Sequence, residues 1–128
     1  MLFSLLEASN FRDGMLHYRN GDFENAKKSF ELAVKQDHAI QANFFLGKIY
    51  LYGEGTTPDI DKATVYLEKA SLGGNIRADC YLSEAYLKNG KNREKAILLL
   101  KTGLKKGLRE CKKIAKTYNI NTNQEVKK

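Results

Sequence analysis

The feature that most constrains this chain is a register of small residues that repeats along it. Ala26, Ala63 and Ala96 form one series, and Ala33, Ala70 and Gly103 form another, with offsets of 37 and then 33 residues in both. The same pattern recurs around them. Its clearest copy runs Leu46-Gly47-Lys48-Ile49-Tyr50-Leu51-Tyr52-Gly53-Glu54-Gly55, followed by Asp61-Lys62-Ala63, Leu67 and Ala70. A weaker copy precedes it (Gly14, Tyr18, Gly21-Asp22-Phe23, Ala26, Phe30, Ala33), and another follows (Leu82-Ser83, Tyr86, Gly90, Lys95-Ala96, Leu100, Gly103). A period of this size marks an array of helix pairs, each burying its apolar face only against its neighbours. Such an array is built to hold a partner more than to transform a substrate.

The apolar spacing within each copy is helical. Leu5, Leu6, Phe11, Met15 and Tyr18 mark a first helix over about 4–19, and Asn20-Gly21-Asp22 stops it. Phe23, Ala26, Phe30, Ala33 and Val34 form an i, i+3, i+4, i+7 stripe on a second helix, for which Asp22 is a suitable N-cap. A third, aromatic helix covers about 39–52. Gly53–Ile60 is a long connection in which Gly53 and Gly55 supply unusual backbone angles and Pro58 fixes a turn. Asp59 or Asp61 caps a fourth helix ending at Gly73-Gly74. Further helices are predicted at about 76–88, 93–105 and 108–118, with a polar, frayed tail at 119–128. The predicted architecture is all-α: a right-handed superhelix of about three helix pairs (units at about 8–38, 39–74 and 75–107) plus a C-terminal capping helix at 108–118, within a single domain over 1–118.

The middle copy resembles a Sel-1-like repeat, the longer-looped relative of the tetratricopeptide repeat. The resemblance rests on Ala42, Leu46, Gly47, Tyr50, Gly53, Gly55, Asp59, Lys62, Ala63, Ala70 and Gly73 or Gly74, all at the family's spacing. The first copy is closer to an ordinary tetratricopeptide repeat. The third departs most, with Ser83 for the first glycine, Gly103 for the packing alanine, and a short turn. The resemblance implies a protein-binding module in bacterial regulatory or signalling complexes, or more narrowly a small toxin-neutralising immunity protein. Some cysteine-rich relatives are linked to penicillin binding and hydrolysis, but their repeated cysteine pairs are absent here.

The chain has only two cysteines, Cys80 and Cys111. They are too few for a disulfide framework, and they read as reduced thiols in a cytoplasmic protein. The start, Met1-Leu2-Phe3-Ser4-Leu5-Leu6-Glu7, has no basic n-region and too short an apolar run for a signal or a membrane span. Exposed Leu2, Phe3, Leu5 and Leu6 offer a route to a homodimer.

In such arrays the first helix of each pair lines the concave surface. That places Phe11, Met15, Tyr18 and Arg19 there from the first unit, and Phe44, Lys48, Leu51 and Tyr52 from the second. The third contributes Arg77, Cys80, Glu84, Leu87 and Lys88. Aromatic anchors interleaved with charge suit capture of a peptide or protein loop. The alternative is that Phe44, Leu51 and Leu87 are core and Cys80 a small hydrophobe.

The charge is uneven: residues 1–89 carry 10 Lys/Arg against 12 Asp/Glu, and residues 90–128 carry 12 against 3. Lys101, Lys105, Lys106, Arg109, Lys112, Lys113 and Lys116 crowd the last two helices, with Lys105, Arg109, Lys112, Lys113 and Lys116 candidates for one basic face. Such a face can meet an acidic protein or, with strong salt dependence, nucleic acid; it also suits a solvated terminal cap. Aromatic residues to stack bases are scarce there, which disfavours nucleic acid. Gly53-Glu54-Gly55 follows a helix and lacks the P-loop Gly-Lys-Ser/Thr, so it is a turn. His17 and His38 have no ligand partners at metal spacing, and no nucleophile motif occurs. The expectation is a cytoplasmic, non-catalytic, cofactor-free and metal-free adaptor for a protein or peptide partner, an acidic one being among the candidates.

Overall fold

The computed structural model describes residues 2–122, with side chains described from residue 9 onward. The elements are α1 (Leu2–Arg19), α2 (Phe23–Asp37), α3 (Ile40–Tyr52), α4 (Ile60–Leu72), α5 (Ile76–Asn89), α6 (Arg93–Lys105) and α7 (Arg109–Thr117). Each helix packs on the next one in sequence, while α3 also touches α5, and α5 also touches α7. Among the described residues, packing concentrated between first and second neighbours makes this an all-α solenoid.

The small residues of the repeat set the closeness of each pair. Ala26, Ala33, Ala63, Ala70 and Ala96 are fully buried. In the second pair a Cβ at Gly47 would stand 2.5 Å from the Leu67 side chain, and at Gly14 it would come as close as 2.6 Å to the Phe30 ring. Both glycines are therefore contact points where backbone meets a large side chain. Units are tied to each other by a recurring bond from a first helix back to the preceding second helix. The Tyr50 hydroxyl donates to Glu31 at 3.1 Å, and the Tyr86 hydroxyl to Glu68 at 2.7 Å. Lys62 and Lys95 lie over the same two rings, at 5.2 and 5.6 Å from their centroids.

The helix ends follow local chemistry. Asp22 caps α2 by accepting the Asn25 N–H at 3.3 Å. Asp59, not Asp61, caps α4 by accepting the Lys62 N–H at 3.0 Å. Gly53 and Gly55 take φ of 70° and 68°, which lets the chain reverse before Pro58 and the Asp59 N–H bond the Tyr50 carbonyl at 2.9 Å.

The cysteines correct the sequence-based expectation. Cys80 of α5 and Cys111 of α7 form a disulfide, and both are wholly buried. Neither is a free thiol, and Cys80 does not face the groove. The space they need comes from Gly103 on α6, where a Cβ would overlap Cys111 Sγ and stand 3.4 Å from Cys80 Sγ. The missing packing alanine of the third unit is thus the cavity into which the disulfide fits.

Helix α7 covers the end of the stack by burying Cys111, Ile114 and Ala115. Tyr118 and Ile120 pack on the same cluster, and the Ile120 N–H donates to the Ala115 carbonyl at 2.8 Å. Order thus continues past 118, where the polar tail was expected to begin. The apolar N-terminal side chains proposed for self-association, and residues 123–128 of the tail, lie outside what is described. No described helix is long and apolar enough to cross a membrane.

Candidate functional site

Helical spacing on the first helices of the pairs builds the site. On α3, Phe44, Lys48 and Tyr52 are four residues apart and share one face. On α5, Arg77, Tyr81 and Glu84, spaced four and then three apart, also share one face. Because α5 touches both α3 and α7, these stripes lie side by side. They flank a depression of about 380 Å³ that Lys48 and Tyr52 of α3, Tyr81 and Glu84 of α5, and Lys113 and Ile114 of α7 line together. Glu54, in the turn after α3, and Glu110 of α7 also reach it.

Lys48 sits at the centre of an aromatic cluster. Its ammonium lies 5.5 Å from the ring centroid of Tyr18, 5.7 Å from that of Phe44 and 5.3 Å from that of Tyr81. The Arg77 guanidinium lies 5.2 Å from the Phe44 ring on the same side chain stack. Tyr81 is edge-on to both Phe44 and Tyr52, with centroids 5.6 and 6.2 Å apart. These contacts use the negative ring faces to hold two cations on an otherwise apolar floor.

The carboxylates have donors. The Tyr18 hydroxyl donates to Glu54 at 2.8 Å. Glu84, only 8% exposed, accepts from Tyr52 at 2.6 Å and from Tyr118 at 3.0 Å. Arg77 Nε donates to Glu110 at 2.9 Å. Burial first, and then the hydrogen bond to Glu84, pushes the Tyr118 hydroxyl up to about 12. Tyr52 is pushed up by the same two causes in the same order, and Tyr18 by burial first and then its hydrogen bond to Glu54. A bond to its own backbone N–H, and next the opposed effect of burial, leave Glu110 below the usual carboxylate range, with Arg77 adding to the lowering. Burial is also the main cause holding Lys48 below the usual lysine range.

Of the residues placed on the groove from sequence, Tyr18, Phe44, Lys48, Tyr52, Arg77 and Glu84 come together here. Phe44 does so as a buried residue, 3% exposed, that touches Lys48, Arg77 and Tyr81 without lining the depression itself. Leu51 is 1% exposed and belongs to the core, so its expected groove position is corrected: it lies one residue off the Lys48–Tyr52 stripe and turns inward. Phe11, Met15 and Leu87 are half-buried against the core. Arg19 and Lys88 are exposed. Sequence reasoning passed over Tyr81, although its position four residues after Arg77 is the signal that finds it. Glu54, Glu110 and Tyr118 were also missed; Glu110 shares a stripe with Lys113, Ile114 and Thr117 on α7, whereas no helical stripe points to Glu54 or Tyr118.

The basic residues expected on the last helices are exposed, apart from half-buried Lys101. Arg109, Lys112, Lys113 and Lys116 occupy the side of α7 opposite Cys111, Ile114 and Ala115, and Lys105 is exposed at the end of α6. Lys113 joins this face to the rim of the depression. Among the described residues no group of three or more His, Cys, Asp or Glu is placed to hold a metal ion.

A solenoid of helix pairs with an aromatic, charged inner face is an α-helical repeat protein. Residues 40–75, spanning α3, α4 and the turn into α5, match the family model described as Sel1 repeat, which supports a Sel1-like helical-repeat architecture. Sel1 repeats are protein–protein interaction modules, and the family is generally non-catalytic. No solved structure matches the chain.

Proposed function

We propose that this protein is a non-catalytic adaptor that binds a partner protein or peptide on the inner face of α3, α5 and α7. One observation supports the reading: two successive first helices, α3 and α5, direct Lys48, Tyr52, Tyr81 and Glu84 at one depression that includes the rings of Tyr52 and Tyr81, and the capping helix α7 closes its side with Lys113 and Ile114. Aromatic rings fixed by packing, with charges around them, are the groups that dominate interface energies. Chemistry on a bound substrate is not part of this reading, because the acidic groups are held in structural bonds to Tyr18, Tyr52, Tyr118 and Arg77.

The cysteine pair changes the expected setting. A cytoplasmic location was inferred from reduced thiols, and a buried disulfide is instead suited to an oxidising compartment. The basic face of α7 supports a subsidiary role, steering an acidic partner towards the rim at Lys113.

The test is affinity capture with nuclease treatment, comparing wild type, a groove variant (Tyr52→Ala/Arg77→Ala) and a variant of the exposed α4 surface (Lys62→Ala/Lys69→Ala). Loss of one retained protein in the groove variant alone supports the reading. Retention by the groove variant, with loss on nuclease treatment or at raised salt, overturns it in favour of the basic face.

A further inference from the structure

The depression on the inner face is unevenly satisfied. Glu54, Glu84 and Glu110 each accept a bond from a tyrosine or arginine of the protein. Lys48 differs. Three aromatic rings surround its ammonium, and among the described residues no carboxylate lies within ion-pair distance of it. Rings attract a cation through their quadrupole but do not replace the strong acceptors that an ammonium has in water. Half-buried and facing a depression, the group presents N–H donors towards any ligand that enters.

Resting on the groove reading above, we propose that Lys48 is the seat for a side-chain carboxylate, Asp or Glu, of an extended segment of the partner protein. The aromatic and apolar surface of Tyr52, Tyr81 and Ile114 takes the neighbouring apolar residues, and Lys113 supplies a second cation at the rim. The volume of about 380 Å³ suits one or two side chains rather than a folded surface. Charge complementarity selects the occupant. A basic segment finds the faces of the surrounding rings already occupied by Lys48 and Arg77, and the glutamates already bonded. A phosphorylated segment brings a charge near −2 next to three glutamates, whereas a single carboxylate meets Lys48, a cation that feels Glu54 and Glu110 at a distance but is ion-paired to neither, with less repulsion.

The test begins with selection from a displayed library of random, unphosphorylated dodecapeptides on the intact, disulfide-bonded protein. Enriched peptides are synthesised and measured by fluorescence anisotropy. We expect a shared Asp or Glu flanked by apolar residues. Changing it to Asn or Gln weakens binding about tenfold, the scale of one charge-assisted hydrogen bond. Lys48→Met, which keeps a stem against the rings, gives a similar loss, and the two changes together lose little more than either alone. The peptide-side change is read on wild-type protein, so the result stands even if Lys48→Met folds poorly. Peptides that lose affinity in Tyr52→Ala but carry no acidic residue, or whose acidic residue is indifferent to Lys48, overturn the carboxylate seat and leave the groove reading intact. A phosphoserine peptide binding more tightly than its glutamate counterpart overturns it too. No enrichment, or enriched peptides indifferent to Tyr52→Ala, Arg77→Ala and Lys48→Met alike, overturns both.

Discussion

Substituting Gly103 should reverse its effect on stability according to whether the disulfide beside it exists. Gly103 lies within α6, where glycine costs a helix about 1 kcal/mol relative to alanine. On propensity alone, Gly103→Ala would stabilise. In the folded protein, however, the added methyl overlaps Cys111 Sγ and sits 3.1 Å from its Cβ. The sulfur is fully buried and tethered to Cys80, so it cannot swing aside, and overpacking of this kind costs about 1–3 kcal/mol. The net effect of Gly103→Ala in the disulfide-bonded protein is a loss of up to about 2 kcal/mol. In the Cys80→Ala/Cys111→Ala background both sulfurs are gone, the cavity they leave takes the methyl, and the penalty falls to zero or becomes a small gain. The background itself is weaker: with the cysteines 31 residues apart in sequence, loop-closure entropy puts the disulfide at ~3.7 kcal/mol. Urea unfolding of the four proteins of this cycle, followed by circular dichroism, gives a coupling energy of at least about 1 kcal/mol. An equal destabilisation by Gly103→Ala in both backgrounds would refute the reasoning.

Three further outcomes follow from the packing and the titrations. Ala63→Leu places a large side chain at a fully buried contact and should lower stability by about 1–3 kcal/mol; an unchanged denaturation midpoint would show that the repeat register is wrong. Asp59→Ala removes the acceptor for the Lys62 N–H and should cost about 1 kcal/mol, whereas Asp61→Ala, which removes no cap, should cost less in the same urea titration. All seven tyrosines are pushed up by burial, several with help from a glutamate acceptor, so folding favours their neutral form. That contribution is fully present below the ordinary tyrosine value of 10.0 and is lost as pH rises through the folded values, Tyr118 reaching about 12. Lys48 acts in the opposite sense, but it is one group against seven. Denaturant midpoints should therefore fall from pH 10 to 12, with tyrosinate absorbance lagging in the folded protein; a midpoint rising over that interval contradicts the assignment.

The sequence showed the fold more clearly than the site, for identifiable reasons. A solenoid is written in short-range periodicity, so Ala26, Ala63 and Ala96 reveal the helix pairs directly. Gly47 facing Leu67 is the packing that such a pattern requires. The disulfide was illegible as a pair of cysteines, since nothing in their separation distinguishes it from two buried thiols. Its trace lay elsewhere, in a glycine at position 103 where the series calls for alanine. The groove was partly legible for the same reason as the helices: Lys48 and Tyr52 share a stripe, and so do Arg77, Tyr81 and Glu84. Leu51 was misplaced because a one-residue error of phase rotates a side chain by about a quarter turn or more. The positions of Glu54 and Tyr118 depend on a loop and a helix end whose course no periodicity describes. Lys48 stood out only once three rings from three different helices were seen around it.

The most direct measurement is amide chemical-shift mapping on the ¹⁵N-labelled, disulfide-bonded protein, titrated with a peptide from the library selection. Binding on the inner face predicts shifts concentrated at Lys48, Tyr52, Arg77, Tyr81 and Glu84 and at the α7 rim near Lys113, with α4 and α6 little changed. Shifts confined to Lys62, Val65, Tyr66 and Lys69, or to the outer basic face at Arg109, Lys112 and Lys116, would contradict it and move the interaction to another surface.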